Sequence, residues 1–395
     1  MSLRGVLGFT FTRELVLLFL INTLMSLGFN VTNALWPLYI QNLDATVLQV
    51  SFLISITGVA GTLLRIPSGL LSDLYGRRRI IVISTLLAFF PPLLFTFSNN
   101  WTQLIPWSIV YSIAFALFMP SRMAIIADYT PVERLMQVYS ILNLSWPIGS
   151  LIGPTLSGLL ENHFGWNTVF YMATMLYLLC ILPSLLLPKP SKKSVKEDIT
   201  PLNHGERFNS TFIRSLLPFF LLNLFTGLGI GSVNSITPIY LTELFKVSSA
   251  IVGLFISIGF GLIMMLTQIP ASYLADKIGR RKFITICFSL IPFLFVLWTF
   301  VHNIILLLLT QMAINSLWSM TWPATLSLLM EHVPKTRRGL SSGLTQAGIM
   351  LGFTVGPTIG GYLWEIFGKT YPYYAAAFFL AICIPITSFI SDRKN

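Results

Sequence analysis

What most constrains this chain is an apolar run of membrane-spanning length that keeps recurring. A helix crossing a bilayer needs ~20 predominantly apolar residues, because its backbone must satisfy its own polar groups there. By that ruler the 395 residues hold about twelve spans, at 15–40, 46–70, 79–98, 102–126, 136–160, 167–188, 215–241, 248–271, 283–301, 303–329, 339–364 and 371–390. A soluble domain carries about 25% charged residues; here the figure is 10%, against 54% hydrophobic residues. The sequence therefore predicts an all-α membrane protein. The first apolar run, reaching to about Ile40, exceeds the ~7–15 residues of a secretory signal core, so it is expected to be a retained span.

The 25 Lys+Arg against 14 Asp+Glu leave a surplus of +11, compatible with a nucleic-acid partner or with membrane topology. Placement favours topology. With the N-terminus in the cytoplasm, Arg77, Arg78, Arg79, Lys277, Arg280, Arg281, Lys282, Lys335, Arg337 and Arg338 fall inside. Only Lys246 and Lys369 fall outside. Basic residues collect on the cytoplasmic side, so both termini are expected there, in the cell membrane, and no nucleic acid is expected. The polar stretch Lys189 to Arg214 reads as a flexible cytoplasmic linker. It divides the chain into a six-helix half at 1–188, the linker at 189–214 and a second six-helix half at 215–395. Cys180, Cys287 and Cys383 each stand alone in an apolar run, which excludes a disulfide scaffold or a cysteine metal site.

The two halves are copies. Asp73, Gly76 and Arg77 recur 203 residues on as Asp276, Gly279 and Arg280. Pro120, Asp128, Pro131 and Arg134 recur at the same shift as Pro323, Glu331, Pro334 and Arg337. Gly149, Gly153, Pro154 and Gly158 answer to Gly352, Gly356, Pro357 and Gly361. In the first span of each half the shift is 201, pairing Asn22, Asn33, Pro37 and Tyr39 with Asn223, Asn234, Pro238 and Tyr240. Same-orientation repeats of six spans match a transporter architecture whose substrate site lies near the midplane, between the repeats.

With these motifs the whole chain resembles the major facilitator superfamily, in particular its drug-efflux and antiporter branch. The loop signature between the second and third helices of that family is met by Gly69-Leu-Leu71-Ser-Asp73-Leu-Tyr-Gly76-Arg77-Arg78, and again by Ser272-Tyr-Leu274-Ala-Asp276-Lys-Ile-Gly279-Arg280-Arg281. The resemblance implies gating roles for Asp73, Gly76, Arg77, Asp128 and Arg134, with Asp276, Gly279, Arg280, Glu331 and Arg337 as counterparts. In the family such a cluster latches the outward-facing, closed state; plain topology anchoring is the alternative. The G-x-x-x-G-P-x-x-G-G pattern resembles the exporter signature of the fifth helix. It reads here as Gly149, Gly153, Pro154 and Gly158, with Ser157 in a glycine place, and as the full form Gly352, Gly356, Pro357, Gly360 and Gly361. Small residues let helices approach and proline bends them, so the motif is expected to act as a pivot, with ordinary close packing as the alternative.

Asn22, Ser26, Asn30 and Asn33 share one helical face, and Asn223, Gly227, Gly231 and Asn234 answer them in span seven. The resemblance places the first, fourth, seventh and tenth helices around a central cavity. Its expected lining is Asn22, Asn30, Asn33, Trp107, Tyr111, Phe115, Asn223, Asn234, Gln311, Asn315, Trp318 and Trp322, an amphipathic, aromatic-rich pocket; interhelical hydrogen bonding and lipid packing are the alternatives for any single residue.

All the acidic residues fall at helix ends or in loops, and so do His163, His204, His302 and His332. Proton relays usually use an intramembrane carboxylate or histidine. Where the family's drug/proton exporters often carry an acid in the first helix and an arginine early in the fourth, this chain has Asn22 and Asn30, and Trp107-Ser108. Protons are thus a candidate coupling ion without the usual carrier, leaving Glu161, His163, Asp128 and Glu133. Gly339-Leu-Ser341-Ser-Gly343 fits a hydrolase nucleophile pattern but opens a membrane helix rather than following a strand; no enzyme and no cofactor are expected. The sequence reads as a secondary transporter that exports small hydrophobic or amphipathic compounds by alternating access, surrounded by lipid and monomeric. A permease for a neutral polar metabolite such as a sugar is the alternative, and a transporter-like receptor or scramblase the remaining one.

Overall fold

The computed structural model describes residues 12–131, 134–188, 210–334 and 337–390. Residues 189–209 of the expected linker lie outside the described residues, as do Glu133, Lys335 and the last five positions. Among the described residues every regular element is helical.

The N-terminal half comprises α1 (Arg13–Asn33), α2 (Trp36–Asn42), α3 (Val47–Tyr75), α4 (Arg77–Phe95), α5 (Leu104–Tyr129), α6 (Leu135–Asn143), α7 (Ser145–Phe164) and α8 (Trp166–Leu186). The C-terminal half comprises α9 (Ser210–Asn234), α10 (Thr237–Phe245), α11 (Ser249–Ile256), a π-helical turn (Ser257–Leu262), α12 (Ile263–Ile278), α13 (Arg280–Trp298), α14 (Ile304–His332), α15 (Arg338–Phe367) and α16 (Tyr371–Ser388). Among the described residues ten stretches are long and apolar enough to cross a membrane. The two helices with the Gly-Pro motif, α7 and α15, are not among them, because glycine, serine and threonine there replace the larger apolar residues.

Several expected spans are broken rods, each with a local cause. The first span bends between α1 and α2, where Pro37 sits in the first turn of the new helix, and α9 gives way to α10 at Pro238 in the same manner. A proline there forgoes a hydrogen bond that the first turn lacks anyway. Residues 210–214, expected as linker, are helical and open α9. Phe212 gives that turn a tertiary anchor by lying under the Arg337 guanidinium, 4.7 Å from its centroid.

Four helix-to-helix reversals rest on glycines in the left-handed half of φ space, where a side chain would be strained. Gly76 (φ +93°) joins α3 to α4 and Gly279 (φ +95°) joins α12 to α13. At the opposite end Gly165 (φ +81°) and Gly368 (φ +117°) do the same, and they too are 203 residues apart.

Each half has its own apolar interior. That of the N-terminal half is built on Leu18, Ile21, Met25, Phe118 and Tyr177. That of the C-terminal half is built on Phe219, Tyr240, Phe288, Trp298 and Tyr373 and runs into Leu35, Trp36, Tyr39, Val50 and Leu53 of the first half. The halves therefore share a core at one end of the molecule, the end opposite the described chain termini. Leu63, Leu182, Phe293 and Phe378 point outward, where a bilayer rather than water is the matching solvent.

Two seams join the halves, α3 against α15 and α7 against α11 and the π-turn. They are copies of each other. The Thr358 backbone N–H and hydroxyl reach the Ser55 hydroxyl at 3.2 and 2.8 Å. The Thr155 backbone N–H and hydroxyl reach that of Ser257 at 3.0 and 2.8 Å. Each threonine follows the motif proline, whose ring displaces the helix ladder and leaves an N–H to be satisfied across the seam.

Candidate functional site

Three cavities lie along the inner faces of the two halves. The first, ≈ 260 Å³, is walled by Phe29, Asn33, Trp36, Phe95, Tyr111 and Phe115, with Ile54, Thr57, Gly58, Gly61 and Arg65 from α3 and Phe353 from α15. The second, ≈ 220 Å³, lies between the halves and is lined by Asn33, Pro37, Asn234, Pro238, Phe255, Phe260 and Gln311. The third, ≈ 40 Å³, is framed by Asn223, Thr226, Trp318, Trp322, Thr345 and Gln346 in the C-terminal half. Asn33 borders both larger spaces.

Eight of the twelve residues expected to line a cavity therefore do so: Asn33, Tyr111, Phe115, Asn223, Asn234, Gln311, Trp318 and Trp322. Asn33 donates to the Phe29 carbonyl at 2.9 Å and to the Tyr111 hydroxyl at 3.4 Å. Tyr111 in turn shares a 2.6 Å hydrogen bond with Tyr177. Phe29 stacks on Tyr111 at 6.3 Å and meets Phe115 edge-on at 4.8 Å, so three rings form one wall. Trp318 lies 6.1 Å from Phe260.

The other four sit elsewhere. Asn30 turns back to the Ser26 carbonyl at 2.9 Å and lies against Gly153. Asn22 is fully buried, with neither amide atom hydrogen-bonded within the protein. Trp107 is exposed and borders none of the three cavities. Asn315 donates at 2.8 Å to the carbonyl of Gly259, an acceptor inside the π-turn.

The polar stripe of α1 thus splits. Ser26 and Asn30 face Gly149 and Gly153 of α7 at distances that admit no added side chain. Gly352 and Gly356 press likewise on Leu224, Gly227, Leu228 and Gly231 of α9. The last glycine of each motif does something else. Gly158 meets Ser249 and Ala250, and Gly361 meets Val47 and Ser51, each belonging to the opposite half. One motif therefore ties a helix to its own half and to the partner half.

At the other end of the molecule Arg77 bridges Asp128 of α5 and Asp73 of α3, the latter at 3.5 Å, and also donates to the Ala124 carbonyl at 2.9 Å. Arg280 pairs with Glu331 and, at 2.9 Å, with Asp276. Both clusters lie within a half. Arg134 and Arg337 start α6 and α15, each donating its backbone N–H three residues back, to Pro131 and Pro334.

Sequence reasoning overlooked two cations. Arg65 borders the ≈ 260 Å³ cavity from α3 and donates to the Met350 thioether at 2.8 Å. Arg122 is 3% exposed, inside α5, where the Asn143 amide oxygen receives it and its Nε has no partner. The available signal was simple: each is a basic residue in the interior of an apolar run, which is costly and usually functional.

The α3–α15 seam descends through Thr354, close to Gly58 and Thr62, to Met350 and Arg65. Below that the helices part, and an added methyl at Gly69 or Gly343 would meet nothing within 4 Å. The far end is closed. There the Gln41 amide donates to Glu243 at 3.0 Å and the backbone N–H of Leu48 to Glu365 at 2.9 Å, both between halves. The molecule is open at the end where the described chain begins and finishes.

The chain is 26% identical over 376 residues to an uncharacterized MFS-type transporter of Methanocaldococcus jannaschii, covering 94% of this chain and 96% of that one. It is 25% identical over 365 residues to Multidrug resistance protein 1 of Bacillus subtilis, covering 91% and 92%. Among solved structures it superposes on the nucleoside transporter NupG with a TM-score of 0.82 at 14% identity, over 96% of this chain and 100% of that one, a likeness of fold. The Major Facilitator Superfamily profile matches residues 18–218 and again 219–395. Repeat, seams and cavity agree with that match along the full length of the sequence: the chain belongs to the Major Facilitator Superfamily of membrane transporters.

Proposed function

We propose that the chain is a twelve-helix transporter of the cell membrane, both termini cytoplasmic, that exports small hydrophobic or amphipathic compounds by alternating access. The observation that carries this reading is a cavity system between two repeats that is sealed at one end and parted at the other. The basic loops around Arg77–Arg79 and Arg280–Lys282 collect at the parted end, which supports a cytoplasmic opening. The efflux direction draws on relatives named for multidrug resistance.

In the mechanism the halves rock about their seams. The Ser55–Thr358 and Thr155–Ser257 contacts separate at the outer end while α3 and α15 close around Gly69 and Gly343. Asp73, Arg77 and Asp128, with their counterparts, hold the helix ends that meet in that step. No carboxylate lines the three cavities among the described residues, so any proton coupling runs through groups at the helix ends. A single chain encloses the pathway, with lipid around it.

The test is efflux of amphipathic fluorescent dyes from proteoliposomes, with and without an imposed pH gradient. Saturable, protein-dependent movement is expected, and the effect of the gradient reports on protons. Dyes that do not move while a labelled sugar does would replace this reading with the permease, for which the amides of Asn33, Asn234 and Gln311 speak.

A further inference from the structure

The charge of the cavity is set by a residue that nothing in the repeat pattern announced. Ile54, Gly58, Gly61 and Arg65 are spaced four, three and four residues apart and so share one face of α3; with Thr57 beside Gly58 they line the ≈ 260 Å³ cavity. Four of them are small or neutral, and the fifth brings a full positive charge. Gly61 touches Ser112 so closely that a side chain would not fit. Arg65 therefore stands at the end of a shallow trough and not in a row of side chains. Its hydrogen-bond partner is the neutral, weakly accepting sulfur of Met350 at 2.8 Å. Among the described residues no carboxylate pairs with it. The carboxylates that do form ion pairs or cross-half bonds, such as Asp128, Glu331 and Glu243, are held at the two ends of the molecule.

A guanidinium carries five N–H donors in a planar fork that matches a carboxylate, sulfonate or phosphate. Beside it the aromatic wall of Phe29, Tyr111 and Phe115 suits a flat apolar body. Arg65 is exposed to the cavity, so a cationic compound would meet one like charge and no opposite charge there, whereas an anion supplies the missing partner.

We propose that the substrate of this cavity is an aromatic organic anion, its ring against Phe29, Tyr111 and Phe115 and its anionic group on Arg65. This inference rests on the transport reading above and narrows it. Arg65 also lies in the α3–α15 seam, next to Met350, so the bound anion sits against both halves.

The test compares three ligands with one ring system: 2-naphthoate, 2-naphthylmethanol and 2-naphthylmethylammonium. Each is titrated calorimetrically against the purified full chain and followed for efflux from proteoliposomes. Naphthoate is expected to bind about tenfold or more tighter than the ammonium compound. Arg65→Gln should remove that preference while leaving naphthylmethanol within about twofold, and Arg65→Lys should restore part of it. Equal or tighter binding of the ammonium compound overturns the inference, as does naphthoate affinity unchanged by Arg65→Gln. If Arg65→Gln does not fold, the charge preference of the unaltered protein and the Lys variant decide. Binding and efflux of naphthylmethanol without naphthoate removes the anion and leaves the exporter standing. Failure of all three ligands removes both.

Discussion

At Arg122 the chain buries a cation without a carboxylate, and the amide oxygen of Asn143 is what receives it. Removing one partner of a buried charged hydrogen bond leaves the other unsatisfied, whereas removing both together can be nearly neutral. Asn143→Leu is therefore expected to cost about 2 kcal/mol of stability. Arg122→Met combined with Asn143→Leu should recover most of it, as thermal unfolding in detergent would show. A second residue-scale expectation concerns Asn33, which borders both large cavities. Asn33→Ala should change substrate affinity with little change in unfolding temperature, while Asn30→Ala, whose side chain bonds back to the Ser26 carbonyl inside its own helix, should leave affinity as it was. Equal affinity profiles for the two variants would move Asn33 to the packing residues. Both residues are on the same stripe of α1, and spacing alone does not separate them.

Among the elements, α7 and α15 carry one motif with two mechanical duties. Gly356 lies against Leu228 and Gly231 within its half, and Gly361 against Val47 and Ser51 of the other half. Overpacking a tight contact costs about 1–3 kcal/mol, but what is lost depends on the contact. Gly356→Val should lower the yield and unfolding temperature of the folded protein. Gly361→Val should wedge the outer seam open, so that thiol probes from outside reach a cysteine placed at Ser55 while the unfolding temperature falls less. Identical effects of the two substitutions would mean that the motif only packs. The π-turn of Ser257–Leu262 belongs to the other seam, that of α7, with its Gly259 carbonyl held by Asn315. A widened turn there moves Ser257 into reach of Thr155, a placement that the apolar run 248–271 does not announce.

For the whole molecule the claim is that one end closes as the other opens. A disulfide between cysteines at Thr155 and Ser257, whose hydroxyls are 2.8 Å apart, should hold the outer end shut and stop transport until it is reduced. In that locked state cysteines at Gly69 or Gly343 should stay open to maleimide from the cytoplasmic side, since neither position has a neighbour within 4 Å. Protection of those positions would contradict the rocking scheme. Asp73→Asn removes one arm of the Arg77 cluster. If that cluster supports the outward-facing form, the variant should label faster at Gly69 and Gly343 than the parent.

The sequence by itself determined that this chain is a helical membrane protein, that it is a duplicated one, and where its helices reverse. These follow from local quantities: the length of an apolar run, the offset between recurring residues, and a glycine where a reversal takes positive φ, as at Gly76 and Gly279. Part of the cavity wall was legible in another way: the polar stripe of the first span marked Asn33, and the family resemblance, which implied the first, fourth, seventh and tenth helices around a cavity, supplied Tyr111 and Trp318. Only the tertiary structure decided that Ser26 and Asn30 turn to a glycine helix while Asn33 turns to the cavity, and that Arg65 brings the charge. A helical period defines a face but not what stands opposite it. That is settled by helices about 120 residues away, such as α7 against α1, whose approach depends on how small residues on both surfaces fit together.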